Sequence, residues 1–176
     1  RRHKVWTYEG GISTPLIVHW PAGIQAAGEI RRAPVHFIDI VPTLIELAGG
    51  KESDSRRNHT GPTLPGKSIV PCFASDSDLR REPIFLDQPT EWRSFWSKED
   101  QLRYRDGAQG YRALITTRYK LAQPIGAPAG TWELYDLMND RSERGDLAAR
   151  MPGKVGELSG AWNALLRKFQ REAVIP

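Results

Sequence analysis

Cysteine is almost absent from these 176 residues: Cys72 stands alone, which excludes an internal disulfide framework and any zinc site built from several thiolates. One thiol does not distinguish a reducing compartment from an oxidising one, so localisation stays open. Long apolar runs are missing too. No stretch approaches the roughly eighteen residues that cross a bilayer, so no membrane span is expected, and residues 1 to 20 lack the basic-then-apolar order of a secretory signal. The four histidines, at positions 3, 19, 36 and 59, never share one helix at metal-ligand spacing, so a metal site made by this chain alone is not expected. Internal repeats and low-complexity tracts are likewise lacking.

What is present suits a globular chain, with 39% hydrophobic and 26% charged residues, long enough for one compact domain or one and a half smaller units. The formal charge of +4 is diluted by 21 acidic residues among 25 basic ones. Without an RNA-binding aromatic motif, helix-turn-helix punctuation or zinc-finger spacing, no nucleic-acid partner is expected. A small anionic substrate, such as a sulfate or phosphate ester, fits the balance of charge equally well.

Along the chain, Pro15-Leu16-Ile17-Val18-His19-Trp20-Pro21 reads as a strand buried on both faces, which needs sheet partners from outside this part of the chain. Residues 39 to 48 read as a helix, with Asp39 as N-cap, Pro42 in the first turn and Gly49-Gly50 as the stop. The polar, turn-rich stretch from Gly50 to Gly66 reads as a long surface connection and a domain boundary. It contains Asn58-His59-Thr60, which fits a glycosylation sequon, a pattern that also arises by chance.

Beyond it, Pro83 to Asp87, Tyr111 to Thr116, Tyr119 to Gln123 and Trp132 to Asp136 read as strands of an antiparallel meander. Val155, Leu158, Trp162, Leu165, Leu166 and Phe169 recur at spacings of three and four, the stripe of an amphipathic helix over 154–171, with Pro152 near its start. The expected fold class is α/β to α+β, a small antiparallel sheet packed on a C-terminal helix. The stretch from Gln88 to Gly110, holding Trp92, Phe95, Trp96 and Tyr104 among basic residues, has two readings: the lip of a substrate cleft, or an insertion loop whose aromatics pack locally.

No complete catalytic constellation is visible. Cys72 has neither a neighbouring histidine nor a glycine-rich elbow, so it reads as a buried or incidental thiol. The chemistry enters through a resemblance. Lys4, followed after four residues by Glu9-Gly10-Gly11, then Pro15 and an apolar run ending in Trp20-Pro21, resembles a segment of the arylsulfatases, in the alkaline phosphatase superfamily. Three further blocks resemble the same family in its own order: Asp39-Ile40-Val41-Pro42-Thr43; Arg112-Ala113 with Arg118-Tyr119-Lys120-Leu121; and Glu133-Leu134-Tyr135-Asp136-Leu137 with Asn139-Asp140 and Glu143.

The resemblance implies that Lys4 contacts the oxygens of a sulfate ester substrate. An ammonium there is chemically apt, because the sulfuryl oxygens stay negative throughout transfer. Gly10 and Gly11 are expected to be structural, through positive φ or close backbone packing beneath the site. Glu9 has two readings, orienting Lys4 or capping the turn. His3, beside Lys4, matches no family residue and is the weaker candidate, for protonating the leaving group.

The family's remaining machinery is a Cys/Ser-x-Pro-x-Arg motif, whose first residue becomes formylglycine, and acidic pairs that bind a divalent cation, usually calcium. None of it occurs here; Phe73-Ala74-Ser75 follows Cys72 instead. The resemblance therefore implies that the chain begins just after the second acidic pair, and that a preceding N-terminal sulfatase segment supplies nucleophile and calcium ligands. Residues 1–66 are expected to close the large α/β domain, and 67–176 to form a C-terminal α+β subdomain. The expected function is sulfate ester hydrolysis by a parent that is compatible with export, this chain alone being inactive. Two alternatives stand beside it: phosphoester or phosphonate ester hydrolysis on the same fold, and a non-catalytic anion-binding or packing module. The family often has His and Gly-Asn near Arg112, where this chain has Gln109-Gly110-Tyr111, which leaves the leaving-group pocket open.

Overall fold

The computed structural model describes residues 6–50, 66–76, 83–88, 111–124 and 127–172. The described elements are α1 (Glu9–Ile12), α2 (Ile40–Leu47), strands β1 (Ile84–Gln88), β2 (Tyr111–Ile115), β3 (Tyr119–Ala122) and β4 (Glu133–Asp136), and the long helix α3 (Pro152–Glu172). Short 3-10 turns precede α2 at Phe37–Asp39 and follow it at Val70–Phe73. Two compact units form: Arg1–Pro15 with Phe85–Pro176, and Leu16–Ile84.

In the first unit the sheet order is β1-β2-β3-β4, the meander expected from the strand spacing. Antiparallel pairing sets Leu114 opposite Leu121 and Leu121 opposite Leu134, so three leucines form one row across the sheet. That row is closed to solvent and packs with Leu158 and Trp162 of α3, while Phe85, Trp132, Val155, Leu165 and Leu166 fill its rim. The three-and-four stripe read from the sequence is the stripe that meets the sheet. Phe85 and Trp132 flank the Trp162 ring at centroid distances of 5.3 Å and 5.6 Å.

Because side chains alternate across a strand, the neighbours of those leucines face away from α3. There Ile115 lies opposite Lys120, and Lys120 opposite Tyr135. An outer sheet face with one covering helix ordinarily meets water, yet Ile115, Lys120 and Tyr135 are all buried. A second layer must cover them, and it comes from the segment around Tyr8 and Glu9.

The second unit is built around α2. Its stop is the one expected: Gly49 takes a φ of 75°, Gly50 N–H donates to the Ile45 carbonyl and Gly49 N–H to that of Glu46, a Schellman closure. Its start differs from expectation. Asp39 makes no side-chain cap to α2; its carboxylate accepts the His36 N–H at 2.8 Å as the reciprocal half of a capping box on the preceding 3-10 turn, and also the Lys67 N–H at 2.9 Å. The backbone entering α2 is already helical at Asp39, which leaves no orphan amide within that carboxylate's reach.

Gly66 sits so close to Ile38 that an added Cβ would lie 1.9 Å from its carbonyl oxygen, and Ile69 N–H donates to Thr43 Oγ1 at 3.0 Å. Residues 66–73 are thus bound to α2. The strand expected at Pro15 to Pro21 is absent: the run forms neither helix nor strand, and Leu16, Ile17, Val18 and Trp20 are exposed. A strand exists only with a ladder partner, and none among the described residues pairs with it. The sequon at Asn58 and the aromatic stretch from Trp92 to Tyr104 lie outside the described residues.

Candidate functional site

The turn after β4 prepares one half of the site. Asp136 accepts the Met138 N–H on one oxygen and the Asn139 side-chain amide on the other, and Arg118 ion-pairs with it at 2.8 Å. That guanidinium holds the Asp136 carboxyl below its usual range. Asp140 then accepts the Arg144 and Gly145 amides, closing a tight loop in which Glu143 takes a φ of 53°. A left-handed backbone is costly for any residue with a Cβ, and it directs this glutamate back under the sheet, where only 1% of it is exposed.

The other half comes from the segment Trp6 to Ser13. Thr7 and Tyr8 are buried, Tyr8 through a hydroxyl donated to Glu133 on β4, the carboxylate oxygen that also accepts Tyr135 at 2.8 Å. Burial first, and then the Glu133 carboxylate, push the Tyr135 hydroxyl well above its ordinary value, so it remains a proton donor. The next residue, Glu9, gives its N–H to Glu143 Oε2 at 2.8 Å. Its carboxylate meets Lys120 Nζ at 3.3 Å on one oxygen and Arg141 at 2.8 Å on the other. Lys120 Nζ in turn lies 2.7 Å from Glu143 Oε1 and 6.0 Å from the centre of the Tyr8 ring.

Among the described residues one ammonium and one guanidinium thus face two carboxylates, with Lys120 wholly buried. Such a cluster cannot act as nucleophile or base without leaving a buried charge uncompensated. What it can do is hold Glu9 in one place. Among the described residues no group of three or more His, Cys, Asp or Glu side chains could hold a metal ion, and the carboxylates of this cluster are committed to cations and amides. The calcium that the resemblance implies is one whose ligands lie in a preceding segment, and these carboxylates are not offered as its ligands.

Of the sequence candidates, Lys4 and His3 lie outside the described residues, three and four positions ahead of Thr7. Glu9, Gly10 and Gly11 form α1, a single helical turn; the described glycines with positive φ are Gly28, Gly49 and Gly130. Of the two expectations for Gly10 and Gly11, positive φ or close backbone packing, the helical turn sets aside only the first. Glu9 is held by an ion pair to Lys120 and Arg141 and by its N–H to Glu143, an arrangement the sequence did not announce. Lys120 and Glu143 were not among the candidates. Their only sequence signal was that each stands in a block resembling the family, and the structure brings those blocks to one point. Cys72 is buried, as expected; desolvation and then the Asp76 charge push its thiol up to about 11, away from nucleophile chemistry.

Residues 2–156 match the family model described as N-sulphoglucosamine sulphohydrolase, C-terminal. The chain belongs to the sulfatase family. A sulfatase of Formosa agariphila is 31% identical over 157 residues, covering 88% of this chain and 26% of that protein. Human arylsulfatase D is 38% identical over 66 residues, 38% of this chain and 10% of the relative. The crystal structure of Ps i-CgsB superposes with a TM-score of 0.56 at 20% identity, over 82% of this chain and 28% of that one, which shows the shared fold. This sulfatase chain therefore spans about a quarter of the length of the first of these relatives. No helix among its described residues is long and apolar enough to cross a membrane.

Proposed function

We propose that this chain is the C-terminal part of a sulfuric ester hydrolase, in which Lys4 binds the sulfate ester and a preceding segment supplies a formylglycine nucleophile and calcium ligands. The observation that carries this reading is the anchoring of the residues just after Lys4: Thr7 and Tyr8 are buried, and Glu9 is held by the Lys120 cluster. A catalytic cation has to stand where charge develops, within tenths of an ångström, and a sequence fixed three residues downstream supports that demand. The lysine ammonium would stabilise the non-bridging sulfuryl oxygens both in the bound ester and in the transition state. Calcium, when bound to upstream ligands, would supply electrophilic stabilisation of the same oxygens.

Exposure of Leu16, Ile17 and Trp20 supports a further part of the reading, that upstream strands cover this run and complete an α/β domain with it. The test is turnover of a chromogenic aryl sulfate. In the full-length parent, Lys4→Ala should lower kcat/KM by about 10²–10³-fold, the scale of losing one transition-state donor. Hydrolysis by the 176-residue chain alone, or preference of the parent for an aryl phosphate, would overturn the proposal.

A further inference from the structure

The cluster beneath the sheet has no reacting group, yet its geometry is more exacting than packing requires. A buried ion pair replaced by apolar side chains of the same volume is often no less stable, so stability alone does not account for Lys120, Glu143 and Glu9 beneath the sheet, with the half-exposed Arg141 at their edge. What charges supply and hydrocarbons do not is a single register. Three separate stretches of chain converge here: α1 through Glu9, β3 through Lys120, and the left-handed turn through Glu143, with Arg141 beside it. Each contact fixes Glu9 from a different direction. Its N–H points to Glu143, one carboxylate oxygen to Lys120 and the other to Arg141, which also reaches Ser13 Oγ at 3.0 Å. Tyr8, one residue earlier, is fixed independently to Glu133.

We infer that Glu9, with Lys120 and Glu143, is a positioning unit that sets the register of the N-terminal segment, and so the placement of the Lys4 ammonium against the sulfate ester. This rests on the proposed role of Lys4. The unit acts through Lys4 and touches no substrate, which separates it from a merely structural anchor: its effect on turnover exists only while Lys4 is present. Glu9→Gln is the sharpest probe, because it keeps the shape and removes one charge from the cluster.

Two measurements on the full-length parent test the inference. Hydrogen exchange at the amides of Thr7, Tyr8 and Glu9 should accelerate at least about tenfold in Glu9→Gln, while the β2, β3 and β4 amides keep their protection. In a double-mutant cycle on aryl sulfate turnover, Glu9→Gln should lower kcat/KM about tenfold or more in the wild-type background and have little further effect in Lys4→Ala. Unchanged exchange at Thr7 to Glu9 overturns the inference whatever the activity. Equal losses in both backgrounds also overturn it, and reduce Glu9 to a stabilising residue. Faster exchange together with a fully active Lys4→Ala instead removes the role proposed for Lys4, and this inference with it. Lys120→Met, read by the same exchange experiment, should loosen the same three amides, which guards against an effect peculiar to the glutamine.

Discussion

Lys120 Nζ and Glu143 Oε1 lie 2.7 Å apart with both side chains closed to solvent, one on the middle of β3 and the other on a turn held in left-handed backbone. Removing Lys120 takes a buried cation away from both Glu143 and Glu9, at a typical cost of about 3–5 kcal/mol. Lys120→Met should therefore lower unfolding stability by that amount in denaturant titration, whereas Lys154→Met, whose exposed partner is Glu157, should change it by less than about 1 kcal/mol. Equal effects at the two lysines would contradict the buried cluster.

Trp162 carries the packing between α3 and the sheet. It is 2% exposed, lies against Phe85 and Trp132, and has the Arg112 guanidinium 5.0 Å from its ring centre. Trp162→Ala should cost about 3–5 kcal/mol, and Leu158→Ala, one turn earlier on the same stripe, about 2–5 kcal/mol. A melting-temperature series on both variants checks this. A loss below 1 kcal/mol at Trp162 would mean that the helix does not cover the sheet.

The buried thiol of Cys72 has a folded pKa of about 11 against an ordinary 9.0, raised first by desolvation and then by Asp76. A raised value in the folded state contributes stability that is complete below about pH 9 and is lost as pH rises towards 11. Native protein should react slowly with a thiol reagent at pH 8 and much faster in urea at the same pH. Rapid native labelling at pH 8 would contradict the burial.

Asp136 shows the opposite sign. Its hydrogen bond from Arg118 depresses the folded pKa below the ordinary 3.8, so its contribution is present above that value and disappears as pH falls through the depressed one. The stability difference between the wild type and Arg118→Gln should thus shrink on acidification from pH 6 to about pH 2, where the unfolded-state carboxyl is also protonated. A difference independent of pH would place Arg118 elsewhere.

The sheet and α3 were legible in the sequence because their signals are local. Alternation at Tyr119 to Ala122 and the three-and-four stripe from Val155 to Phe169 need no distant partner to be read. The Leu16 to Trp20 run carried an equally clear strand signal, but a ladder is a property of two chains segments and its partner is not among the described residues. Lys120 failed for a related reason. A lysine alternating with Leu121 reads as the wet face of a hairpin, and only carboxylates far away in sequence make it a core residue. Glu143 carried no sign of positive φ, which Asn or Gly at that place would have signalled.

Lys120 lies 111 residues after Glu9, with the whole Leu16–Ile84 unit between them. As the chain leaves the ribosome from its amino end, Tyr8 and Glu9 emerge long before their partners exist, and their unit cannot close until the hairpins have been translated. Assembly order is thereby built in: the segment from Trp6 to Ser13 is synthesised ahead of its partners and docks only after them, so this unit stays open until the nascent polypeptide has passed β3 and the turn at Glu143.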